Sequence, residues 1–158
     1  MEILSPSAEH TIDLGRKIGR LAQAGQFICL DGPLGTGKTQ LVRGLAAGCG
    51  VADLTVVCSP TYVMLNIYPA DTATPQAHTL YHLDAYRIQS AEDFQAIGFD
   101  ELLDQDGIIV LEWASKVPQL LPPDRLSITG QWAGENSRRW QLLASGGRSA
   151  ALLNSLGS

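Results

Sequence analysis

Residues 32–39 are the part of the sequence that most restricts the fold. They read Gly-Pro-Leu-Gly-Thr-Gly-Lys-Thr and fit the pattern G-x-x-x-x-G-K-[ST] of a phosphate-binding P-loop. The apolar run 27–30 leads into them, and the stretch 40–47, which has helical periodicity, follows. Strand, glycine-rich loop and helix in this order are the setting in which the pattern binds phosphate. A glycine-rich turn with a surface lysine is the alternative, and the flanking elements argue against it.

Each residue type in this loop has a physical reason to be there. Glycines let the backbone curl so that successive N–H groups point at one anion, and the helix behind adds the positive end of its dipole. Lys38 supplies a cation for the outer phosphates, and the Thr39 hydroxyl suits Mg²⁺. We therefore expect bound ATP and Mg²⁺. The loop residues expected to bind the nucleotide are Gly32, Leu34, Gly35, Thr36, Gly37, Lys38, Thr39 and Gln40.

Length and charge restrict the function further. A chain of 158 residues is expected to form a single domain over 1–158. Its net charge of −5 makes it a poor binder of DNA or RNA by itself, because phosphate neutralisation needs clustered Lys and Arg. We find no apolar run of membrane-spanning length and no secretory signal, which predicts a cytoplasmic protein. Cys29, Cys49 and Cys58 are odd in number and lack metal-site spacing, so reduced, buried thiols are expected.

Hydrophobic periodicity and turn residues predict a mixed α/β fold. Strands alternate with helices early in the chain and pair as hairpins later, which predicts a P-loop NTPase-like, three-layer fold with a largely parallel central sheet and antiparallel hairpins. In the first half of the chain, the predicted elements are a helix capped by Ser7 and stopped by Gly25, a strand over 26–31, the P-loop and a helix over 32–47, and two strands over 62–68 and 79–84 that are joined by a polar loop 69–77. A helix that Ser90 and Asp93 open and that ends before Gly98 comes next, and a short helix over 100–104 follows it. The last predicted elements are a buried strand over 108–111, a hairpin of 126–132 with 139–144, and a helix over 149–155.

Two carboxylates stand at the ends of predicted strands. A P-loop enzyme needs a second group on the Mg²⁺ side, usually an acid at the carboxyl end of a buried strand. Glu112 ends the continuous apolar run 108–111, so we place it nearest the metal. Asp84 ends the run 80–83 and would orient water or support the metal ligands. For each acid, capping of a nearby helix is the alternative.

Three further residues have two interpretations each. Thr61, in Ser59-Pro60-Thr61, is either a switch residue that reaches Mg²⁺ or the γ-phosphate, or part of an ordinary Ser-Pro turn. His82 alternates with apolar residues and is favoured as a packed histidine over a catalyst. Trp113 follows Glu112 directly and lies either on the rim of the site or in the core.

These pieces occur in one order along the chain. After the P-loop come Ser59-Pro60-Thr61-Tyr62, then His82-Leu83-Asp84-Ala85-Tyr86-Arg87, then Glu112-Trp113. In this combination the chain resembles the bacterial ATPases of tRNA threonylcarbamoyladenosine biosynthesis, the TsaE (formerly YjeE) family. The resemblance covers residues 7–145, nearly the whole chain, and the four motifs show no departure from the family pattern.

The resemblance implies a small ATPase that works with two partner proteins of the threonylcarbamoyl transferase complex. Together with the net charge of −5, it predicts that the chain meets tRNA only indirectly. It implies that Lys38 and Thr39 hold phosphates and Mg²⁺, that Glu112 serves the metal, and that Asp84 and Thr61 support hydrolysis. It also places an arginine, matched here by Arg138, near the nucleotide. The family's N-terminal segment approaches adenine, and Thr11 is the nearest match.

Other P-loop functions remain as alternatives. A small-molecule kinase needs a lid with several arginines, and the arginines of this chain are scattered. A GTPase needs a guanine-reading N-K-x-D, which the sequence does not contain. A nucleotide-sensing subunit without enzymatic activity would keep the same binding residues, and the sequence by itself leaves it open.

Overall fold

The structure is a computed structural model that describes residues 1–71, 73–74 and 77–158. The predicted loop 69–77 therefore includes residues 72, 75 and 76, which lie outside the described residues. In the described residues no helix is long and apolar enough to cross a membrane. The elements are β1 (Glu2–Ser5), α1 (Ala8–Leu21), β2 (Phe27–Asp31), α2 (Lys38–Gly48), β3 (Leu65–Tyr68), β4 (Leu80–Asp84), α3 (Ala91–Ala96), α4 (Phe99–Leu103), β5 (Ile108–Glu112), β6 (Arg125–Trp132), β7 (Arg138–Ser145) and α5 (Gly147–Leu156), with 3₁₀ turns at Leu54–Val56, Ala114–Lys116 and Pro118–Leu120.

A single seven-stranded sheet in the order β1-β7-β6-β2-β5-β4-β3 forms the centre of the fold. Strand β2 pairs in parallel with β5 and β6, and β4 pairs in parallel with β5. The pairs β3–β4, β6–β7 and β1–β7 are antiparallel. Five of the seven strands consequently run in one direction, which confirms the predicted mixed, largely parallel sheet with hairpins at its edges.

The two faces of the sheet carry separate hydrophobic cores. Alternating side chains of β2 divide between them: Ile28 and Leu30 pack with α1, α2 and α5, while Phe27 and Cys29 pack with α3 and α4. The central strand β5 divides in the same way and is buried along its whole length. A strand that is apolar on both faces is typical of a parallel sheet covered by helices. The predicted three-layer arrangement is confirmed.

Helices α1 and α2 pack unusually close together along a seam of small residues. A methyl group built on Gly15 would lie 2.2 Å from the Leu41 carbonyl oxygen, and one on Gly44 would lie 2.0 Å from the Ile12 carbonyl oxygen. Both distances are far below van der Waals contact, so only glycine permits this approach of the two backbones. The seam fixes the start of α2, where the P-loop ends, against the start of α1.

One strand is absent from the sequence predictions, and two predictions differ from the structure. Strand β1 was not predicted, because it is short and mostly exposed and its hydrogen bonds come from β7 at the other end of the chain. Strand β3 begins at Leu65 instead of residue 62, because residues 61–63 form a turn after Pro60. Cys29 and Cys49 are buried, and burial raises the pKa of each thiol to about 12. Cys58, predicted to be buried, is exposed because it lies in the loop before that turn.

Candidate nucleotide-binding site

A cleft of about 930 Å³ lies at the carboxyl end of the central strands. The loop between β2 and α2 forms its floor, and this is the edge at which open α/β sheets bind their ligands. Its walls come from the start of α1, the segment before β3, the end of β5 and the tip of the β6–β7 hairpin. The lining residues are Pro6, Ser7, Ala8, Glu9, Thr11, Leu34, Gly35, Thr36, Gly37, Lys38, Thr39, Gln40, Ser59, Thr61, Glu112, Trp113, Asn136 and Arg138.

The P-loop reverses the chain through a left-handed residue at the start of α2. Gly37 precedes the helix with φ of +100°, a conformation that side chains with a Cβ rarely adopt. No side chain caps α2 at this end. Its first N–H groups and its dipole therefore face the cleft with a partial positive charge. This backbone is suited to bind an anion.

The Lys38 side chain lies buried under the loop. Its ammonium donates hydrogen bonds to the carbonyl oxygens of Gly32, at 2.7 Å, and Pro33, at 3.2 Å, and lies 4.2 Å from the centre of the Trp113 ring. Burial lowers the pKa of Lys38, and the negative charges of Glu112, Asp84 and Asp31 oppose that shift. The cation is thus placed among the acids of the site, at the floor of the cleft.

Glu112 and Asp84 end neighbouring parallel strands and lie directly opposite each other in the register. Glu112 lines the cleft, and its Oε1 is 2.8 Å from Nε2 of His82. His82 is completely buried, as the favoured packing interpretation predicted. It also contacts the acid that we expect nearest the metal, and no sequence pattern indicates that contact.

Asp84 is buried and does not line the cleft, because two hydroxyl groups cover it. Its Oδ2 accepts hydrogen bonds from Thr61, at 2.8 Å, and from Ser59, at 3.3 Å, and these hydroxyls lie 2.8 Å from each other. Its Oδ1 accepts the N–H of Tyr86 at 2.7 Å. Asp84 therefore reaches the cleft through Ser59 and Thr61, which both line it.

Arg138 lies where the β6–β7 hairpin meets the P-loop. Its Nε donates to the Thr36 carbonyl oxygen at 3.0 Å, and its guanidinium stacks on the Trp132 ring at 4.0 Å. The side chain therefore holds the P-loop backbone as well as lining the cleft. Trp132 also packs beside Gly35, where an added methyl group would lie 3.5 Å from the ring.

The start of α1 forms the wall opposite the hairpin. Thr11 is buried there, and its hydroxyl is hydrogen-bonded to the Ser5 hydroxyl at 2.7 Å and donates to the Ser7 carbonyl at 3.3 Å. The hydroxyl is thus already occupied within the protein, so Thr11 meets the cleft as a wall and not as a free donor.

Trp113 takes a left-handed backbone conformation, with φ of 58°, immediately after the sheet ends. Its ring lies against the Lys38 ammonium on one side and 5.2 Å from the Tyr86 ring on another. It is half-buried, lines the cleft and also packs on the core beneath α3 and α4. Trp113 therefore lies on the rim of the site and also packs against the core, so each of its two interpretations describes part of its environment.

Most of the predicted site residues meet at this one cleft. Gly32 and Asp84 do not line it, and Leu34 lines it with 86 % of its own area accessible to solvent. Sequence reasoning assigned no role to Ser59 or Asn136. The spacing of Ser59 and Thr61, two hydroxyls on one Pro-fixed turn, is the signal that could have identified Ser59.

The donor groups at the cleft are suited to a hard divalent cation. The Thr39 hydroxyl and the Glu112 carboxylate are oxygen donors, and both residues line the cleft. Mg²⁺ prefers oxygen ligands and usually takes one or two from the protein beside nucleotide phosphates and water. The residues present therefore fit Mg²⁺ bound with a nucleotide.

Comparison with known proteins agrees with this architecture. The family model described as "Threonylcarbamoyl adenosine biosynthesis protein TsaE" matches residues 5–140. The tRNA threonylcarbamoyladenosine biosynthesis protein TsaE of Treponema pallidum is 36 % identical over 138 residues, covering 87 % of this chain and 96 % of that protein. The protein of the same name from Bacillus subtilis is 32 % identical over 148 residues, covering 94 % of this chain and 88 % of the relative.

A solved structure gives the same result for the fold. The crystal structure of YdiB from Bacillus subtilis superposes with a TM-score of 0.82 at 27 % sequence identity, over 99 % of this chain and 93 % of that one. The family match covers the P-loop, both strand-end acids and the segment that contains Thr61. The chain belongs to the TsaE family.

Proposed function

We propose that this chain binds ATP with Mg²⁺ in the cleft and hydrolyses it in support of tRNA threonylcarbamoyladenosine biosynthesis. The observation that carries most of the proposal is the meeting of the Lys38 ammonium and the Glu112 carboxylate at a cleft whose floor is a P-loop. A cation for phosphates and an acid for their metal are the minimum that phosphoryl chemistry requires. The names of the relatives supply the pathway.

The binding residues have separate roles. The backbone N–H groups of the P-loop cradle the phosphates, and Lys38 neutralises the outer ones. Thr39 and Glu112 hold Mg²⁺, which supplies positive charge to the phosphate oxygens when it is bound. Arg138 keeps the P-loop backbone in place through the Thr36 carbonyl. Thr11 contributes to the wall on the base side.

Hydrolysis then depends on the segment before β3. Thr61 and Ser59 present hydroxyls to the cleft, and Asp84 accepts a hydrogen bond from each. Because Asp84 accepts a hydrogen bond from both hydroxyls, it fixes their orientation, and therefore the orientation of a molecule in the cleft that they contact. We assign Asp84 and Thr61 to the orientation of the attacking water.

The wider setting follows from the pathway. We propose that the chain acts as one domain in the cytoplasm, with two protein partners of the transferase complex, and that these partners carry the tRNA. Its net charge of −5 favours this division, because the free energy of tRNA binding comes largely from clustered cations.

Removing the lysine tests the binding site. In Lys38→Ala and Thr39→Ala we expect turnover to be lost with the fold retained, because these side chains face the cleft. Isothermal titration with ATP and Mg²⁺, together with a phosphate-release assay, measures both properties. Lys17→Ala is the matched control, because it removes the same charge from the exposed side of α1.

Unchanged affinity and turnover in Lys38→Ala would contradict the assignment. ATP binding without turnover, even with both partners present, would instead favour the nucleotide-sensing subunit. Transfer of phosphate to a small-molecule acceptor would favour the kinase.

A further inference from the structure

His82 and Glu112 form a buried polar contact at the site that the roles above do not use. His82 lies in the middle of β4, completely buried, and its Nε2 is 2.8 Å from Glu112 Oε1. The two residues are thirty positions apart in sequence, on adjacent parallel strands. On β4 the buried positions beside His82 are Leu80, Leu83 and Asp84, so an imidazole is not the residue type that burial in this strand by itself favours.

The chemistry of the pair fixes the direction of the hydrogen bond. An ionised carboxylate only accepts, so Nε2 carries the proton and donates to Glu112. The other ring nitrogen, Nδ1, is buried and has no hydrogen-bond partner among the described residues. Burying an N–H without a partner costs free energy, so Nε2, whose proton Glu112 accepts, is the ring nitrogen that donates.

The two carboxylate oxygens of Glu112 have different surroundings. His82 occupies Oε1 from within the sheet, while the carboxylate lines the cleft. Glu112 has no other hydrogen-bond partner among the described side chains, so His82 is the group that fixes the carboxylate orientation. Carboxylates that bind metals are commonly held in this way by a second residue behind them.

We propose that His82 is a positioning residue that orients Glu112 so that its second oxygen serves Mg²⁺. The inference rests on the proposed function of the cleft and extends it to a residue that does not itself touch the nucleotide. A histidine retained only for packing would be replaceable by any side chain of similar volume. A positioning histidine is replaceable only by a side chain that donates a hydrogen bond to Glu112 from the position of Nε2.

Three substitutions separate these two roles. His82→Leu keeps apolar volume and removes the donor. His82→Gln places an amide N–H near the position of Nε2, whereas His82→Asn is equally polar but too short to reach Glu112. Leu80→Ala is the structural control, because Leu80 is completely buried two residues earlier on the same strand and pairs with Ile108, at the other end of β5 from Glu112.

The measurement is the ratio of affinities for adenylyl imidodiphosphate with Mg²⁺ and with EDTA, by isothermal titration of the full chain. We expect this Mg²⁺-dependent gain to fall about 10- to 100-fold in His82→Leu and His82→Asn, and to be largely kept in His82→Gln. Leu80→Ala should lower the melting temperature and change the ratio less than about twofold, because its effect is on packing.

A double-mutant cycle sharpens the test. If His82 acts through Glu112, then His82→Leu causes a smaller loss of the Mg²⁺-dependent gain in a Glu112→Asp background, whose shorter carboxylate is withdrawn from Nε2, than in the wild type. Additive losses, or a gain retained in both His82→Leu and His82→Asn, would overturn the proposal. If His82→Leu does not fold, the difference in Mg²⁺-dependent gain between His82→Gln and His82→Asn still distinguishes a positioning role from a packing role. Absence of any Mg²⁺-dependent gain in the wild type would count against the proposed function itself.

Discussion

At the residue scale, the two strand-end acids differ in what surrounds them. Glu112 lines the cleft and has one oxygen occupied by His82. Asp84 lies beneath Ser59 and Thr61 and accepts a hydrogen bond from each hydroxyl. The first environment is suited to a metal ligand, and the second to an acid that works through other groups.

Amide substitutions should separate the two roles. Glu112→Gln is expected to lose the Mg²⁺ dependence of binding and hydrolysis together. Asp84→Asn should still bind ATP with Mg²⁺ but hydrolyse it roughly 10²-fold more slowly, because an amide has one acceptor oxygen where Asp84 uses two. Titration calorimetry and single-turnover hydrolysis measure these effects. The reverse pattern would exchange the two assignments.

At the scale of elements, the α1–α2 seam connects the floor of the cleft to one of its walls. The start of α2 carries Lys38 and Thr39, and the start of α1 carries the wall that contains Thr11. The backbones approach so closely at Gly15 and Gly44 that neither position has room for a methyl group. Any widening of the seam therefore moves the P-loop relative to the wall that the start of α1 forms.

A glycine-to-alanine pair tests the seam. Gly44→Ala should destabilise the protein by about 2 kcal/mol or more through overpacking, even though alanine favours a helix by about 1 kcal/mol. Gly147→Ala is the matched control, because an added methyl group in α5 meets nothing within 4 Å, and it should be neutral or slightly stabilising. Urea unfolding of both variants gives the comparison. Equal stability of the two variants would show that the seam can open without cost.

The start of α5 depends on a single acid. Asp124 accepts the N–H groups of Arg148, at 2.9 Å, and Ser149, at 3.0 Å, and the Ser149 hydroxyl at 2.7 Å. The Ser149 hydroxyl hydrogen bond is the main cause that lowers the pKa of Asp124. The helix has no side-chain cap of its own, so Asp124 takes over that function.

Asp124→Ala should therefore lower the free energy of unfolding by about 0.5–2 kcal/mol near neutral pH. Because the folded-state pKa is lowered, the stabilisation is complete above the unfolded-state pKa of about 3.9 and is lost as the pH falls through the folded-state value. Denaturation of both proteins across this pH range measures the effect. Asp106→Ala removes an exposed acid and serves as the control. A difference from wild type that persists at the lowest pH would contradict the capping role.

At the scale of the whole molecule, charge is unevenly distributed over the two faces of the sheet. Helix α1 carries Arg16, Lys17 and Arg20, while the opposite layer is acidic and has no Lys or Arg between residues 88 and 115. A molecule with this distribution and a net charge of −5 offers tRNA no continuous basic surface. Its acidic residues in that stretch are Glu92, Asp93, Asp100, Glu101, Asp104, Asp106 and Glu112.

We accordingly predict weak or no tRNA binding by the isolated chain at physiological salt, and low ATPase activity that rises when the two partners are added. A docked partner can order the segment around Thr61 and exclude water from the cleft. Gel-shift and phosphate-release assays, each with and without partners, check both parts. Tight, salt-sensitive tRNA binding by the chain alone, or fast turnover without partners, would contradict this view.

Much of the fold could be predicted from local patterns. The P-loop, the buried run of β5 and the hairpins are set by residues close together in sequence, and all three are present in the structure. Strand β1 and the exposure of Cys58 were not predictable, because each depends on a distant part of the chain or on the exact start of a turn.

The phosphate-binding loop and the acids that end β4 and β5 can be predicted from sequence patterns, because those features depend on short-range spacing and periodicity. What each acid contacts depends on the three-dimensional fold. His82 meets Glu112 because β4 and β5 are neighbours in one register, Asp84 lies under Thr61 because the turn before β3 folds over it, and Arg138 reaches the P-loop because β6 pairs with β2. Contacts between residues far apart in sequence are set by strand order and register, and neither can be predicted from the residue pattern along the chain.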